Sequence, residues 1–152
     1  MMPIFHKVSQ LCSCITTKEY SSSFSSAISL LHQDLRKPIY NIYGFVRFAD
    51  EIVDTFHGHD QALLLNEFKT ATFDAIERGI SLNPILHSFQ LTVNQYNITY
   101  DLIEAFFTSM EMDLAEQHYT DKVYKDYIYG SAESVGLMCL LVFCEGDPAK
   151  YG

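Results

Sequence analysis

Tyr43-Gly44-Phe45-Val46-Arg47-Phe48-Ala49-Asp50-Glu51-Ile52-Val53-Asp54 is the stretch on which the reading of this chain turns. Asp50 and Asp54 stand four residues apart, so on a helix their carboxylates share one face, one turn from each other. Like charges at that spacing repel, and the pair is unfavourable until something neutralises it. A divalent cation does so. Hard carboxylate oxygens suit Mg²⁺, which takes one or two carboxylates plus substrate phosphates and keeps some water. The same face extends backward through Arg47 to Tyr43 as a continuous polar stripe, while Ile39, Ile42, Val46, Ala49 and Val53 lie opposite. The segment therefore reads as an amphipathic helix. Arg47 offers a planar fork for a diphosphate oxygen. The spacing alone is also served by a solvated face with an Arg47–Asp50 ion pair.

Helical periodicity continues on both sides of this stretch. A first helix is predicted over Pro3 to about Thr16. Ser21 to Ser23 cap a second, through Ile28, Leu31 and Leu35, and Pro38 marks the start of a third that ends at Asp54. His57-Gly58-His59-Asp60 reads as a solvated turn with Asp60 as N-cap. A fourth helix runs to Glu77, stopped by Gly79, and Asn83-Pro84 opens a fifth, to about Asn94. Thr99 caps a sixth, Tyr100 to about Glu116, and Thr120 or Asp121 caps a long apolar seventh ending near Phe143. Gly146 then ends that helix and Asp147-Pro148 opens another, barely a turn before Gly152. The expectation is one all-α domain over residues 1–152, with the chain a fragment of a longer helical fold.

Composition bounds the function. The 152 residues are 48% hydrophobic and 19% charged, which is globular rather than disordered. The formal net charge of -9 excludes duplex nucleic acid as a natural partner and argues against simple electrostatic docking onto anionic lipid. An acidic chain that handles an anionic substrate needs metal cations. Cys12, Cys14, Cys139 and Cys144 lack zinc-site spacing and read as reduced thiols of a cytosolic protein, the last two in the core. Met1 to Ser13 has no apolar core of a signal peptide, and Leu137–Phe143 is too short to span a bilayer.

Three further features carry chemistry or packing. Gly130, Ser131, Ala132, Ser134 and Gly136 cluster small residues in the seventh helix, allowing close helix approach or leaving room for a ligand. Glu133 among them is either a surface position or a buried functional acid. Phe24, Phe45, Phe48, Phe106, Phe107, Tyr43 and Tyr127 either line an apolar cavity suited to a prenyl chain or pack as ordinary core.

Taken in order, Tyr20-Ser21-Ser22-Ser23-Phe24, Arg36-Lys37-Pro38-Ile39-Tyr40, Tyr43 to Asp54, Met110 to Leu114 and Tyr127 to Met138 resemble the phytoene/squalene synthase family. These are the head-to-head trans-isoprenyl diphosphate synthases, and the style is nearest to bacterial phytoene synthases. A lone Asp-x-x-x-Asp is weak; preceded by Tyr-x-x-x-Arg and followed by Val135-Gly136-Leu137-Met138, it is specific. The resemblance covers nearly the whole chain, with Ser131-Ala132-Glu133 standing where the family reads Val-Ala-Gly.

The resemblance implies the N-terminal part of the all-helical isoprenoid synthase fold. It assigns Asp50 and Asp54 to Mg²⁺ and catalysis, Arg47 to diphosphate, and Ser21, Phe24 and Tyr43 to substrate at the cavity mouth. Tyr127 becomes a catalytic cavity tyrosine. The implied reaction joins two geranylgeranyl diphosphates into phytoene, through an allylic cation and a cyclopropyl diphosphate, in a cavity that excludes water. Farnesyl diphosphate, giving squalene or dehydrosqualene, is the alternative substrate. A non-catalytic helical binding module is the alternative of another class. The lipophilic product implies peripheral membrane contact. The family's second aspartate-rich motif is expected beyond Gly152, so this chain alone holds half of the implied metal cage and is expected to be inactive without the rest.

Overall fold

The computed structural model describes residues 2–115 and 129–144, which form helices with no strand among them. These are α1 (Met2–Tyr20), α2 (Ser22–Ser29), α3 (Gln33–Asp54), α4 (Gln61–Arg78), α5 (Pro84–Tyr96) and α6 (Tyr100–Ala115), followed by a π-helical turn (Tyr129–Glu133) leading into α7 (Ser134–Phe143). The all-α expectation holds. The expected start of the seventh helix and the Asp147-Pro148 signature lie outside the described residues.

α3 is the central helix and packs against each of the others. Its inward residues Ile39, Ile42, Phe45, Ala49, Ile52 and Val53 are buried, as the pattern requires. Phe45 is the hub. Its ring stacks on Phe89 of α5 at 3.9 Å between centroids, and Phe68, Phe106 and Phe107 close around it at 5.4–5.6 Å. Complete burial of each such side chain stabilises the fold by roughly 1.5–3 kcal/mol. This also resolves the aromatic question. Phe45, Phe106 and Phe107 are fully buried against one another as core, whereas Phe24 and Phe48 remain at the surface.

Local signals placed several boundaries. Asp60 accepts a hydrogen bond from the Leu63 amide, and Asn83 Oδ1 accepts from the Ile85 and Leu86 amides at 3.0 and 3.3 Å ahead of Pro84. Gly79 ends α4 with φ +69°, a left-handed conformation that costs glycine nothing. Asn97 does the same for α5, which runs on to Tyr96.

Two boundaries differ from expectation. α1 runs on to Tyr20. The second and third helices divide at Leu30–His32, not before Pro38. There His32 Nδ1 accepts the Asp34 amide and Arg36 Nε donates to the Leu31 carbonyl, so side chains satisfy the break. Pro38 lies inside α3, in its second turn. It removes only the bond to the Asp34 carbonyl near the helix start.

Two close approaches fix the helix spacing. A Cβ at Gly44 would stand 2.9 Å from Ser13 Oγ of α1, and Ser13 Oγ itself shares a hydrogen bond with Ser88 Oγ of α5. A Cβ at Gly130 would collide with Ser109 Oγ and the Ala105 carbonyl oxygen of α6. Ser134 donates back to the Gly130 carbonyl, inside the π-helical turn. Gly136 has open space around its Cβ position, and Glu133 is exposed, which makes it a surface position. Cys144 is buried, and Cys139 is half-buried against the core with its thiol pushed up to about 11 by burial.

Candidate functional site

The site is the last two turns of α3. Asp50 and Asp54 share a face there, as their spacing requires, with Asp54 the final helical residue. This is the end at which helix carbonyls concentrate negative potential, worth about 0.3–1 kcal/mol against an exposed anion. Two carboxylates at that end make a place that attracts cations. Gln61 reinforces the geometry: its Nε2 donates to the Ile52 and Val53 carbonyls at 2.9 and 3.0 Å, fastening the helix end beside Asp54.

Asp50 is half-buried and Asp54 is exposed. The Asp50 carboxyl is pushed up to about 6, chiefly by burial and then by the charge of Asp54. Asp113 of α6 raises it further, against the opposing pull of Arg47. The Asp113 charge therefore acts on the same point from a second helix. Among the described residues no three His, Cys, Asp or Glu groups gather closely enough to enclose a cation unaided. Carboxylates whose charges oppose one another fit a Mg²⁺ ion that is also held by phosphate oxygens.

Arg47 makes the Arg47–Asp50 pairing that the spacing allowed, and a closer one beside it. Its guanidinium bonds Glu51 at 2.8 Å and stands 4.0 Å from Asp50. It also lies over the Tyr20 ring, 4.4 Å from the centroid. The Tyr20 hydroxyl hydrogen-bonds Glu51, which raises the phenol above its ordinary range. Tyr20, Arg47 and Glu51 form one cluster, and Tyr20 and Glu51 line a cavity of about 380 Å³ together with Phe48, Ile52, Phe56 and Phe68. One side of the guanidinium is thus committed to Glu51, and the Asp pair keeps its excess negative charge.

Tyr43 is half-buried one turn before Arg47 and stacks on Phe24 of α2, with centroids 4.8 Å apart and ring planes 24° from parallel. Ser21 caps α2 by accepting the Phe24 amide at 3.2 Å, and so aims Phe24 toward Tyr43. The fold thereby brings Ser21, Phe24, Tyr43, Arg47, Asp50 and Asp54 into one region. Tyr127 lies outside the described residues. His57 and His59 are exposed in their turn.

The sequence reading passed over Glu51, Tyr20 and Asp113 as site residues. Glu51 had a signal, since it stands four residues from Arg47, a helical pairing distance. Asp113 and Tyr20 lay inside the motifs quoted above, but only tertiary packing assigns them a role.

Residues 17–151 match the family profile described as squalene/phytoene synthase. The chain is 26% identical over 147 residues to a 4,4'-diapophytoene synthase of Staphylococcus haemolyticus (strain JCSC1435), covering 89% of this chain and 49% of that protein. It is 29% identical over 141 residues to the chloroplastic phytoene synthase 3 of Zea mays, covering 91% and 32%. A presqualene diphosphate synthase of Rhodopseudomonas palustris (strain ATCC BAA-98 / CGA009) is 27% identical over 124 residues, with 80% and 44% covered. The alignments thus span about half or less of these relatives' own length. A crystal structure of a dehydrosqualene synthase in complex with ligand shares the fold, with a TM-score of 0.79 at 23% identity over 95% of this chain and 52% of that one.

Proposed function

Because this chain belongs to the squalene/phytoene synthase family, we propose that it supplies the first half of a site that joins two prenyl diphosphates head to head. The observation that carries the reading is the Asp50–Asp54 pair on one face at the C-terminal end of α3, with Asp50 half-buried and pushed up to about 6 by burial, by Asp54 and, from α6, by Asp113. Carboxylates so placed call for a cation, and the family's substrates bring diphosphate to complete its coordination. Mg²⁺ held by Asp50 and Asp54 would neutralise the leaving diphosphate and promote its departure.

The chain's own groups do the rest. Arg47, steadied by Tyr20 and Glu51, turns its remaining donors to a diphosphate oxygen. The Phe24–Tyr43 stack gives the first part of the prenyl chain an apolar wall whose π faces favour developing positive charge. Tyr127 is proposed as a cavity tyrosine.

Two geranylgeranyl diphosphates, giving phytoene, are the proposed substrates. Farnesyl diphosphate is the second reading, favoured by the fold shared with a dehydrosqualene synthase. The test is Mg²⁺-dependent binding of a non-hydrolysable prenyl diphosphate to this chain, together with pyrophosphate release by the protein extended to the length of its relatives. Binding lost in Asp50→Asn with Asp54→Asn supports the reading. Binding that ignores both Mg²⁺ and those substitutions means a non-catalytic module instead. Product chain length, C30 or C40, decides between the substrates.

A further inference from the structure

The start of α1 is attached to the fold with little apolar burial. The buried residues of this helix are Ser9, Ser13, Thr16 and Thr17, while Ile4, Val8, Leu11 and Ile15 are exposed. Ser9 Oγ is buried with no hydrogen-bond partner among the described residues. A segment with so few buried apolar contacts belongs to the low-stability end of a structure. What ties it to α5 is the Ser13–Ser88 bond and a pair of imidazoles. His6 Nδ1 lies 2.8 Å from His87 Nε2. The two rings stack 18° from parallel with centroids 5.0 Å apart, and Phe5 packs on the His87 ring at 4.4 Å.

One backbone group fixes where the protons of this pair sit. The Ser81 amide can only donate, and it donates to His87 Nδ1 at 3.2 Å. A neutral His87 therefore carries its proton on Nε2 and donates it to His6 Nδ1. A further proton on His87 would sit on Nδ1, against the Ser81 N–H. One on His6 Nδ1 would sit against the His87 Nε2–H. Either turns a hydrogen bond into two donors facing each other. His87 is fully buried, and burial, followed by the charge of His6, holds its imidazole below the ordinary value of 6.5. Among the described residues neither ring is in an ion pair with a carboxylate. The other titratable groups on the packed elements are few. Lys7 follows His6 on α1, Glu77 and Arg78 end α4, and α5 has only the Tyr96 phenol at its far end. α3 brings Asp34 and Lys37, of opposite sign, to a cleft shared with Gln10.

We propose that His6 and His87 form an acid-released latch that holds the start of α1 on α5. With both rings neutral the latch is closed. As pH falls below 6.5, His87 in the undocked form takes a proton that the docked form refuses. The latch therefore contributes fully above that value and is lost below it. For one proton the opening equilibrium rises about tenfold over the first pH unit below 6.5. The proposal stands apart from the reaction assigned above and does not rest on it.

Hydrogen exchange of the whole chain, followed from about pH 7.5 to about pH 5.5, reads the latch directly. Protection factors over residues 3–13 should drop about tenfold across that range, while those of α6 do not drop. Asp50 titrates in the same window with the opposite sign, since its folded form holds the proton more tightly, so it cannot mimic the loss. His6→Asn with His87→Gln keeps an acceptor and a donor at the contact and removes both titrations. Its α1 protection should not respond to pH. Heteronuclear NMR of the wild-type imidazoles at about pH 7.5 should show His87 neutral with its proton on Nε2, and decides the matter if the double variant does not fold. Unchanged α1 protection at about pH 5.5 overturns the proposal. So does a His87 that carries its proton on Nδ1 at about pH 7.5, or a folded double variant as acid-sensitive as wild type.

Discussion

Replacing Asp50 with Asn is expected to stabilise the metal-free chain at neutral pH, although it removes a side chain on which the proposed chemistry depends. The Asp50 carboxyl titrates at about 6 in the folded chain, against 3.8 for an ordinary aspartate. Between those values the folded form holds a proton that the unfolded form has already released. Stability therefore falls as pH rises through that window and stays lower above it. A displacement of about two units is worth at most ~3 kcal/mol. The Asp50 side chain is 35% exposed, and solvent screening at that exposure brings the effect to about 1 kcal/mol. Urea denaturation followed by circular dichroism measures it. Asp50→Asn should exceed wild type by about 1 kcal/mol around pH 7, with the difference vanishing toward about pH 4. Added Mg²⁺ with pyrophosphate should then stabilise wild type and leave the variant unmoved. A variant no more stable than wild type around pH 7, or a gain that persists at about pH 4, refutes the argument that burial and neighbouring carboxylates strain this group.

Other substitutions probe the frame that holds the site. Phe45→Ala should cost about 3–5 kcal/mol by thermal or urea unfolding, since four aromatic rings close around that side chain. Gly130→Ala should destabilise by about 1–3 kcal/mol or more because its new methyl meets α6. Gly136→Ala, with open space around it in a helix, should instead stabilise by about 0.5–1 kcal/mol. Asn83→Ala should cost about 1 kcal/mol through loss of the α5 cap, again read by denaturation midpoint.

Local chemistry made part of this molecule legible before its coordinates. Asp60, Gly79 and Asn83-Pro84 marked helix ends because a cap or a left-handed residue acts within one turn of chain. The Asp50–Asp54 pair was legible because helical spacing alone sets its geometry. The division at Leu30–His32 was not, since it depends on His32 and Arg36 each reaching a backbone group across the break. Pro38 misled for the same reason: its cost at that point in the helix is one bond. Arg47 could face Asp50 or Glu51 by spacing, and the stacked Tyr20 ring and its hydroxyl on Glu51 accompany the choice made. Asp113 is about sixty residues from Asp50 along the chain, and no local pattern reports an electrostatic neighbour across that separation. The inward face of α1, which is Ser9, Ser13, Thr16 and Thr17, was hidden as well, because periodicity gives the direction of an apolar stripe only relative to its own helix.

The contact between Gly44 and Ser13 has a consequence for how this protein can diverge. The two positions draw on one small volume between α1 and α3, and Ser88 occupies its far side. A methyl gained at 44 requires an atom given up at 13, or a shift of α1 that would carry Tyr20 off the guanidinium. Relatives that fill one position are therefore expected to empty the other, so that sequence change at a helix seam is tied to a cluster several turns away.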